Sequence, residues 1–273
     1  RILVPGGTVF VGSHLARRLA DDGFDVVVTG RNRYATGRTF HPRIRFVKAD
    51  LRDAAAVRAL CKGVDVVFHS AALTSPWGTR QAFFSTNVEG TRNVLAGCEA
   101  AGVRRLVHVS SSSVFFENRD RTDLPDDAPL ASPFFNDYAA SKAAAEDEVR
   151  RAVARGFDAV IVRARAVFGP GDNAILPRIL AAAKAGRLRR IGDGRNRLDV
   201  TYIDNLVDAL VLAKDKAPKG AAFTVTNGEA VELWPWLDRV LDEAGAPRPT
   251  RSIPHARLDR IAAVLEAVYA LLP

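Results

Sequence analysis

Methionine is absent from all 273 residues, position 1 included, and cysteine occurs only twice. The missing initiator points to a chain that has been shortened or edited. Cys61 and Cys98 lie in stretches that read as helical, and two thiols are too few for a disulfide framework or a zinc cluster. No apolar run reaches the ~20 residues that span a bilayer, and the chain opens directly on a strand pattern, without the charged and then apolar leader of a signal peptide. Internal repeats are also missing, and so is aromatic interleaving among the arginines that give the net charge of +8. The charge therefore reads as solubility, with no nucleic-acid module behind it. A cytoplasmic protein is expected, and 48% hydrophobic residues are enough for a full core.

What the chain does contain is alternation. Apolar strands at Arg1 to Val4, Phe24 to Thr29, Arg43 to Val47, Val64 to Phe68, Val103 to Val109 and Ala159 to Arg163 alternate with helical segments over residues 1–170. This order predicts an α/β fold, a Rossmann-type doubly wound parallel sheet. Residues 171–273 are expected to form mainly a small C-terminal lobe, with 198–226 contributing a helix and a late strand, Phe223 to Thr226, to the first domain. Helices are expected at Asn173 to Ala185, from a cap at Asp204 or Asn205, and from Leu233.

Between the first strand and a helix at Ser13 to Asp22 lies Pro5-Gly6-Gly7-Thr8-Val9-Phe10-Val11-Gly12. This has the geometry of a dinucleotide turn, in which backbone and helix N-terminus face a pyrophosphate. Val9 stands where such turns carry their middle glycine, so it either narrows the approach to phosphate or leaves Gly7 to make the turn. After the second strand, Gly30 occupies the position at which NAD enzymes place an acid, and Arg31 and Arg33 follow. That predicts NADP(H) rather than NAD(H), with Arg31 the first choice for the 2′-phosphate.

Asn136-Asp137-Tyr138-Ala139-Ala140-Ser141-Lys142 opens an alanine-rich helix, capped by Asn136 or Asp137 and stopped by Gly156. Four residues apart, Tyr138 and Lys142 share a face, and a neighbouring ammonium is expected to favour the phenolate. This is acid/base chemistry suited to an alcohol and a carbonyl. The pair alone is a common coincidence; its context gives it weight.

The glycine-rich turn, the cluster Ser110 to Ser113 after an apolar strand, and Tyr138-x-x-x-Lys142 together resemble the short-chain dehydrogenase/reductase superfamily, extended branch. Asn87-Val88-Glu89-Gly90-Thr91-Arg92-Asn93-Val94-Leu95 and Phe168-Gly169-Pro170-Gly171-Asp172 are similar to motifs of that branch. Trp77-Gly78, Gly171-Asp172-Asn173, Gly186 to Gly194 and Trp234-Pro235-Trp236-Leu237 resemble its 3β-hydroxysteroid dehydrogenase-like group. For the cofactor, the resemblance implies Gly6, Val9, Phe10, Val11 and Gly12 at the pyrophosphate, and Asp50-Leu51 against adenine. It also implies Ala71-Ala72 along the cofactor, Asn87 at the cofactor or proton path, and Lys142 on the nicotinamide ribose beside Tyr138. The catalytic set it implies is Ser111, with Ser112 as fallback, Tyr138 and Lys142. His69 is expected to be structural. Ala164, in place of the family's proline, is expected to loosen the backbone beside the nicotinamide. Of Arg187, Arg189, Arg190, Arg195 and Arg197, most are expected on solvated surface, with an anionic substrate end the alternative.

The implied activity is NADP(H)-dependent interconversion of a 3-oxo group and a secondary alcohol on a small-molecule carbonyl or alcohol substrate. A homodimer is implied, with no nucleic acid and no membrane span. The alternatives are a nucleotide-sugar epimerase or dehydratase, and a non-catalytic NADP-binding sensor.

Overall fold

The structure is a computed structural model that describes residues 1–32, 41–75, 77–117 and 119–271. In chain order it begins with β1 (Ile2–Pro5), α1 (Phe10–Asp21), β2 (Val26–Gly30), β3 (Ile44–Lys48), α2 (Ala54–Cys61) and β4 (Val66–His69). Next come α3 (Arg80–Phe84), a π-helical turn at Ser85–Glu89, α4 (Gly90–Ala101), β5 (Arg105–Ser111) and a 3-10 turn at Ser112–Phe115. α5 (Asp137–Ala154), β6 (Ala159–Ala164), β7 (Val167–Phe168), α6 (Leu176–Lys184), β8 (Arg190–Ile191) and β9 (Arg197–Asp199) follow. The chain continues through β10 (Thr201–Tyr202), α7 (Ile203–Lys216), β11 (Ala222–Val225), β12 (Ala230–Glu232), α8 (Leu233–Glu243), β13 (Ser252–Ile253) and α9 (His255–Leu271).

Two compact units arise. The first comprises Arg1–Gly171 and Thr201–Thr226, the second Asp172–Val200 and Asn227–Pro273. In the first, seven strands pair in the order β11-β6-β5-β4-β1-β2-β3, every neighbour parallel. This is the Rossmann-like doubly wound sheet that strand–helix alternation predicts. Strands such as Val26-Val27-Val28 carry apolar residues on both faces because helices cover both. The order reverses between β1 and β4, and in such sheets ligands bind beyond the carboxyl ends of the strands at that point.

Local chemistry sets the helix ends. Asp53 accepts from the amides of Ala55 and Ala56 at the start of α2, and Asn136, the first of two candidates, accepts from the Ala139 amide at 2.8 Å at the start of α5. Three expected starts move, those of α1, α6 and α7. α6 begins at Leu176, not Asn173, because the Asp172 carboxylate takes the amides of Ala174, Ile175 and Leu176. α7 begins at Ile203, with neither Asp204 nor Asn205 as its cap. Ile203 is fully buried in the core, and that packing fixes the start while Asp204 falls in the first turn. Ala164 is the last residue of β6, paired to Ser111 on β5 and to Val225 on β11.

The second unit packs Ala183, Leu241 and Ala246 together, joins β8 to β13 and β9 to β12, and ties Arg190 to Asp238 at 2.5 Å. Arg190 also lies over the Trp234 ring, and Arg189 is bound to the carbonyls of Gly186 and Leu188.

Candidate active site

The turn after β1 is built on close approach. Gly6 adopts φ +83°, and a Cβ there would lie 2.6 Å from the Ala71 amide nitrogen. A Cβ on Gly12 would run into the Gly6 carbonyl oxygen and come within 2.6 Å of Ser70 Oγ. Ser70 in turn donates from Oγ to the Pro5 carbonyl at 2.9 Å, so β1, β4 and the start of α1 form one cradle. Gly7 does not replace the missing middle glycine. Its hydrogen faces β2, where a Cβ would meet Val28 Cγ1 at 2.5 Å. α1 starts at Phe10, earlier than the expected Ser13, because the turn feeds straight into it through Val9 N–H to Gly6 O, 3.2 Å. The first amides of a helix, here those of Phe10, Val11 and Gly12, have no intrahelical acceptor and suit an anion.

Val9 is 38% exposed, so its side chain stands at the surface of this turn. Substitution Val9→Gly is expected to clear that surface and tighten NADPH binding by up to about tenfold, checked by fluorescence titration.

At the end of β2, a Cβ on Gly30 would lie 2.5 Å from the hydroxyl of buried Thr8, which leaves little room for an acid there. Arg31 is exposed and lies close enough to Asp50 to depress its pKa. Asp50 is held chiefly by Arg52, at 2.6 Å, and this pair pulls its carboxyl down to about 2 although burial opposes the shift. Leu51 is buried, and its carbonyl accepts from Asn93 Nδ2 at 2.8 Å. Arg33 lies outside the described residues. Ala71 and Ala72 are half-buried at the end of β4, where the Ala71 amide abuts Gly6.

Asn87 ties the loop after β4 to α5. It sits in the π-helical turn, buried, with Oδ1 accepting from Leu73 N at 2.7 Å and Nδ2 donating to Leu73 O and to Ser141 Oγ at 2.9 Å.

Tyr138 lies in the first turn of α5, its ring edge-on to Phe83 at 6.4 Å. Burial pushes its phenol above the ordinary value, and a hydrogen bond with Ser111 only partly offsets this. The expected net preference for phenolate is therefore not present. The reason is where the ammonium goes: Lys142 Nζ donates to the Val109 carbonyl at 2.7 Å, and burial pulls its pKa down to about 8 while Glu146 holds it up. Of the two candidate serines, Ser111 is the one whose hydroxyl bears on the phenol, pulling its pKa down against the larger effect of burial. Ser111 Oγ also accepts from the Ser113 amide at 3.2 Å, whereas Ser112 is buried at the start of the 3-10 turn.

Beneath this set the sheet carries polar groups that sequence reasoning passed over. Ser110 donates to Glu146 Oε1 at 2.6 Å, and Arg163 donates to both oxygens of the same carboxylate at 3.0 and 2.9 Å. The visible signals were a Glu four residues beyond Lys142 and an Arg inside an apolar strand. His69 and His108 pair across β4 and β5 with rings 5.2 Å apart, both fully buried. Thr91 gives its proton to the Asn87 carbonyl at 2.6 Å, so His69 Nε2, 2.9 Å from Thr91 Oγ1, carries the hydrogen of that pair. His69 is thus an oriented structural group. Burial and the Lys142 charge hold it neutral, its pKa pulled down to about 3. Among the described residues, no three His, Cys, Asp or Glu side chains form a metal site, and no helix is long and apolar enough to cross a membrane.

Residues 2–226 match the NAD dependent epimerase/dehydratase family. The chain is 36% identical to a 2-alkyl-3-oxoalkanoate reductase of Stenotrophomonas maltophilia, covering 100% of this chain and 84% of that protein. It is 33% identical to a sterol-4-alpha-carboxylate 3-dehydrogenase, decarboxylating, of Bos taurus, over 93% of this chain and 73% of the relative. Among solved structures, a dTDP-glucose 4,6-dehydratase of Streptomyces venezuelae with bound NAD superposes with a TM-score of 0.81 at 28% identity, covering 93% of this chain and 84% of that one.

Proposed function

Because the chain belongs to the NAD dependent epimerase/dehydratase family and is an oxidoreductase that works with a nicotinamide cofactor, we propose that it uses NADP(H) to interconvert a 3-oxo group and a secondary alcohol. The observation that carries this reading is the placement of Ser111, at the carboxyl end of β5, near enough to Tyr138 to pull its pKa down, with Lys142 one helical turn along α5 and bonded to the Val109 carbonyl. A dinucleotide fits the residues present: the Gly6–Gly12 cradle has no room for side chains, and α1 offers free amides to a pyrophosphate. Bound there, the nicotinamide would supply or accept the hydride.

The chain's own residues handle the proton. Tyr138, protonated at neutral pH as any phenol of ordinary pKa is and more firmly so for its burial, gives its proton to the carbonyl oxygen, and Ser111 holds that oxygen in place. The phenolate left behind lies one helical turn from the Lys142 ammonium, which is itself bonded to the Val109 carbonyl. Trp77, Phe116 and Phe135 flank these elements in sequence and are 79%, 42% and 67% exposed. They suit an apolar skeleton, as in a 3-oxoacid or sterol, better than a sugar diphosphate. The second unit is proposed to select that skeleton.

Purified protein should bind NADPH more tightly than NADH and oxidise NADPH when given a 2-alkyl-3-oxo acid or a 3-oxosterol. Binding without turnover of either substrate class would count for a non-catalytic sensor. Arg31→Asp is expected to remove a 2′-phosphate contact and lower the NADPH/NADH preference by about 10–100-fold, given ~1.5–3 kcal/mol for a charged hydrogen bond. An unchanged ratio would end the assignment of Arg31.

The likeness to NAD-bound dehydratases supports a second reading, a nucleotide-sugar epimerase or dehydratase. It expects NAD to stay bound through purification and a sugar nucleotide to raise the melting temperature.

A further inference from the structure

Lys142 is a cation 2% exposed, and the groups facing it come from three elements. On α5 they are Tyr138 and Glu146, one turn to either side; on β4 and β5 they are His69 and His108, whose titration its charge suppresses. Neither imidazole provides a counter-charge. His69 Nδ1 and both nitrogens of His108 have no hydrogen-bond partner, and burial keeps the rings neutral. The buried carboxylate nearest in the helix is Glu146, 0% exposed, and it is over-determined: Ser110, Arg163 and Arg150 all donate to it, Arg150 at 2.7 Å. Ser110 sits between Val109, whose carbonyl takes Lys142 Nζ, and Ser111, which meets Tyr138. One carboxylate therefore grips the strand that carries both partners of the reacting pair.

We infer that Glu146 is a positioning residue for the Tyr138–Lys142 pair: its carboxylate is the counter-charge of the buried Lys142 ammonium, and its bond to Ser110 fixes Ser111 opposite Tyr138. The inference rests on the acid/base reading of Tyr138 and Lys142 given above. Arg163 and Arg150 are the groups that hold Glu146 ionised and in place. Arg163 is itself 2% exposed, so the pair forms a unit whose members cannot be removed singly without leaving a buried charge.

The charge and the tie can be separated by substitution. Glu146→Gln keeps an oxygen that accepts from Ser110 but removes the charge. Ser110→Ala removes the tie and keeps the charge. Lys142 is charged below its pKa of about 8, so reduction is expected to decline as pH rises through that value. In Glu146→Gln the decline should move down by about one pH unit, and the Lys142 side-chain NMR resonance of the folded, substrate-free protein should titrate lower by the same amount. Ser110→Ala should lower kcat with no movement of the limb, and Glu146→Asp should restore the limb of the native protein. If Glu146→Gln does not fold, Glu146→Gln with Arg163→Gln leaves no unpaired buried guanidinium, and in it Lys142 is expected to titrate below the native value but by less than in the single variant.

A Lys142 resonance that titrates identically in native and charge-removed protein would overturn the inference, and so would a limb that moves as far in Ser110→Ala. Failure to turn over any 3-oxo compound would instead count against the reductase reading, and the NMR titration would still decide the role of Glu146.

Discussion

Tyr138→Phe is expected to lower kcat for 3-oxo reduction by about 10²–10⁴-fold, the range contributed by a positioned general acid. The substitution removes one oxygen and keeps the ring. Phe83, edge-on to Tyr138, retains its contact, and the capped first turn of α5 is untouched because the Asn136–Ala139 bond does not involve the phenol. Stability should fall by no more than about 0.5–1.5 kcal/mol, the ordinary worth of one hydrogen bond, because the ring and its packing are retained. The measurement is steady-state reduction with NADPH alongside an NADPH titration. A large fall in kcat with Kd within about threefold places Tyr138 in the chemical step. A comparable rate would mean that another group delivers the proton, and Ser111 would be the first to examine. The native phenol is protonated well past neutrality, so oxidation of the alcohol, which needs the phenolate or its equivalent, should be favoured by rising pH. Reduction should show the opposite trend.

Gly12→Ala should weaken NADPH binding by about 10–100-fold, taking ~1–3 kcal/mol for overpacking a close contact. Gly12 lies in the first turn of α1 at an ordinary helical φ, so alanine would be neutral or favourable there on helix propensity alone. The penalty comes entirely from contacts: the added methyl would press on the Gly6 carbonyl and on Ser70 Oγ at 2.6 Å. Relief requires the turn to open, and the turn is the surface offered to the pyrophosphate. Gly23→Ala is the matching control. Gly23 has φ +91° and nothing within 4 Å of a new Cβ, so alanine there strains the backbone and lowers the melting temperature without altering NADPH affinity. If Gly12→Ala binds NADPH as the native chain does, the cradle is not the pyrophosphate site.

What the sequence determined by itself is everything carried by short-range rules. Alternation of apolar strands and helical segments fixed the doubly wound parallel sheet, because strand and helix periods and their order along the chain are local properties. Asp53 and Asn136 were legible as caps, Gly6 and Gly12 as a turn, and Tyr138 with Lys142 as a shared helix face, since spacing alone puts those groups together. Tertiary structure decided what those side chains touch. The Lys142 ammonium went to the Val109 carbonyl, because once α5 packs on the sheet an unmade bond to a buried carbonyl is costly. The Tyr138 phenol was raised in pKa by burial, with only the Ser111 hydroxyl opposing, because the ammonium expected to acidify it is held elsewhere. Asn87 was consumed by Leu73 and Ser141, partners 14 and 54 residues away. Glu146, Arg163 and Ser110 come from α5, β6 and β5, and no local pattern predicts that a carboxylate on a helix and a guanidinium on a strand will meet where the two pack. α7 began at Ile203, one residue before the polar caps on offer, because burying that side chain in the core is worth more than a cap.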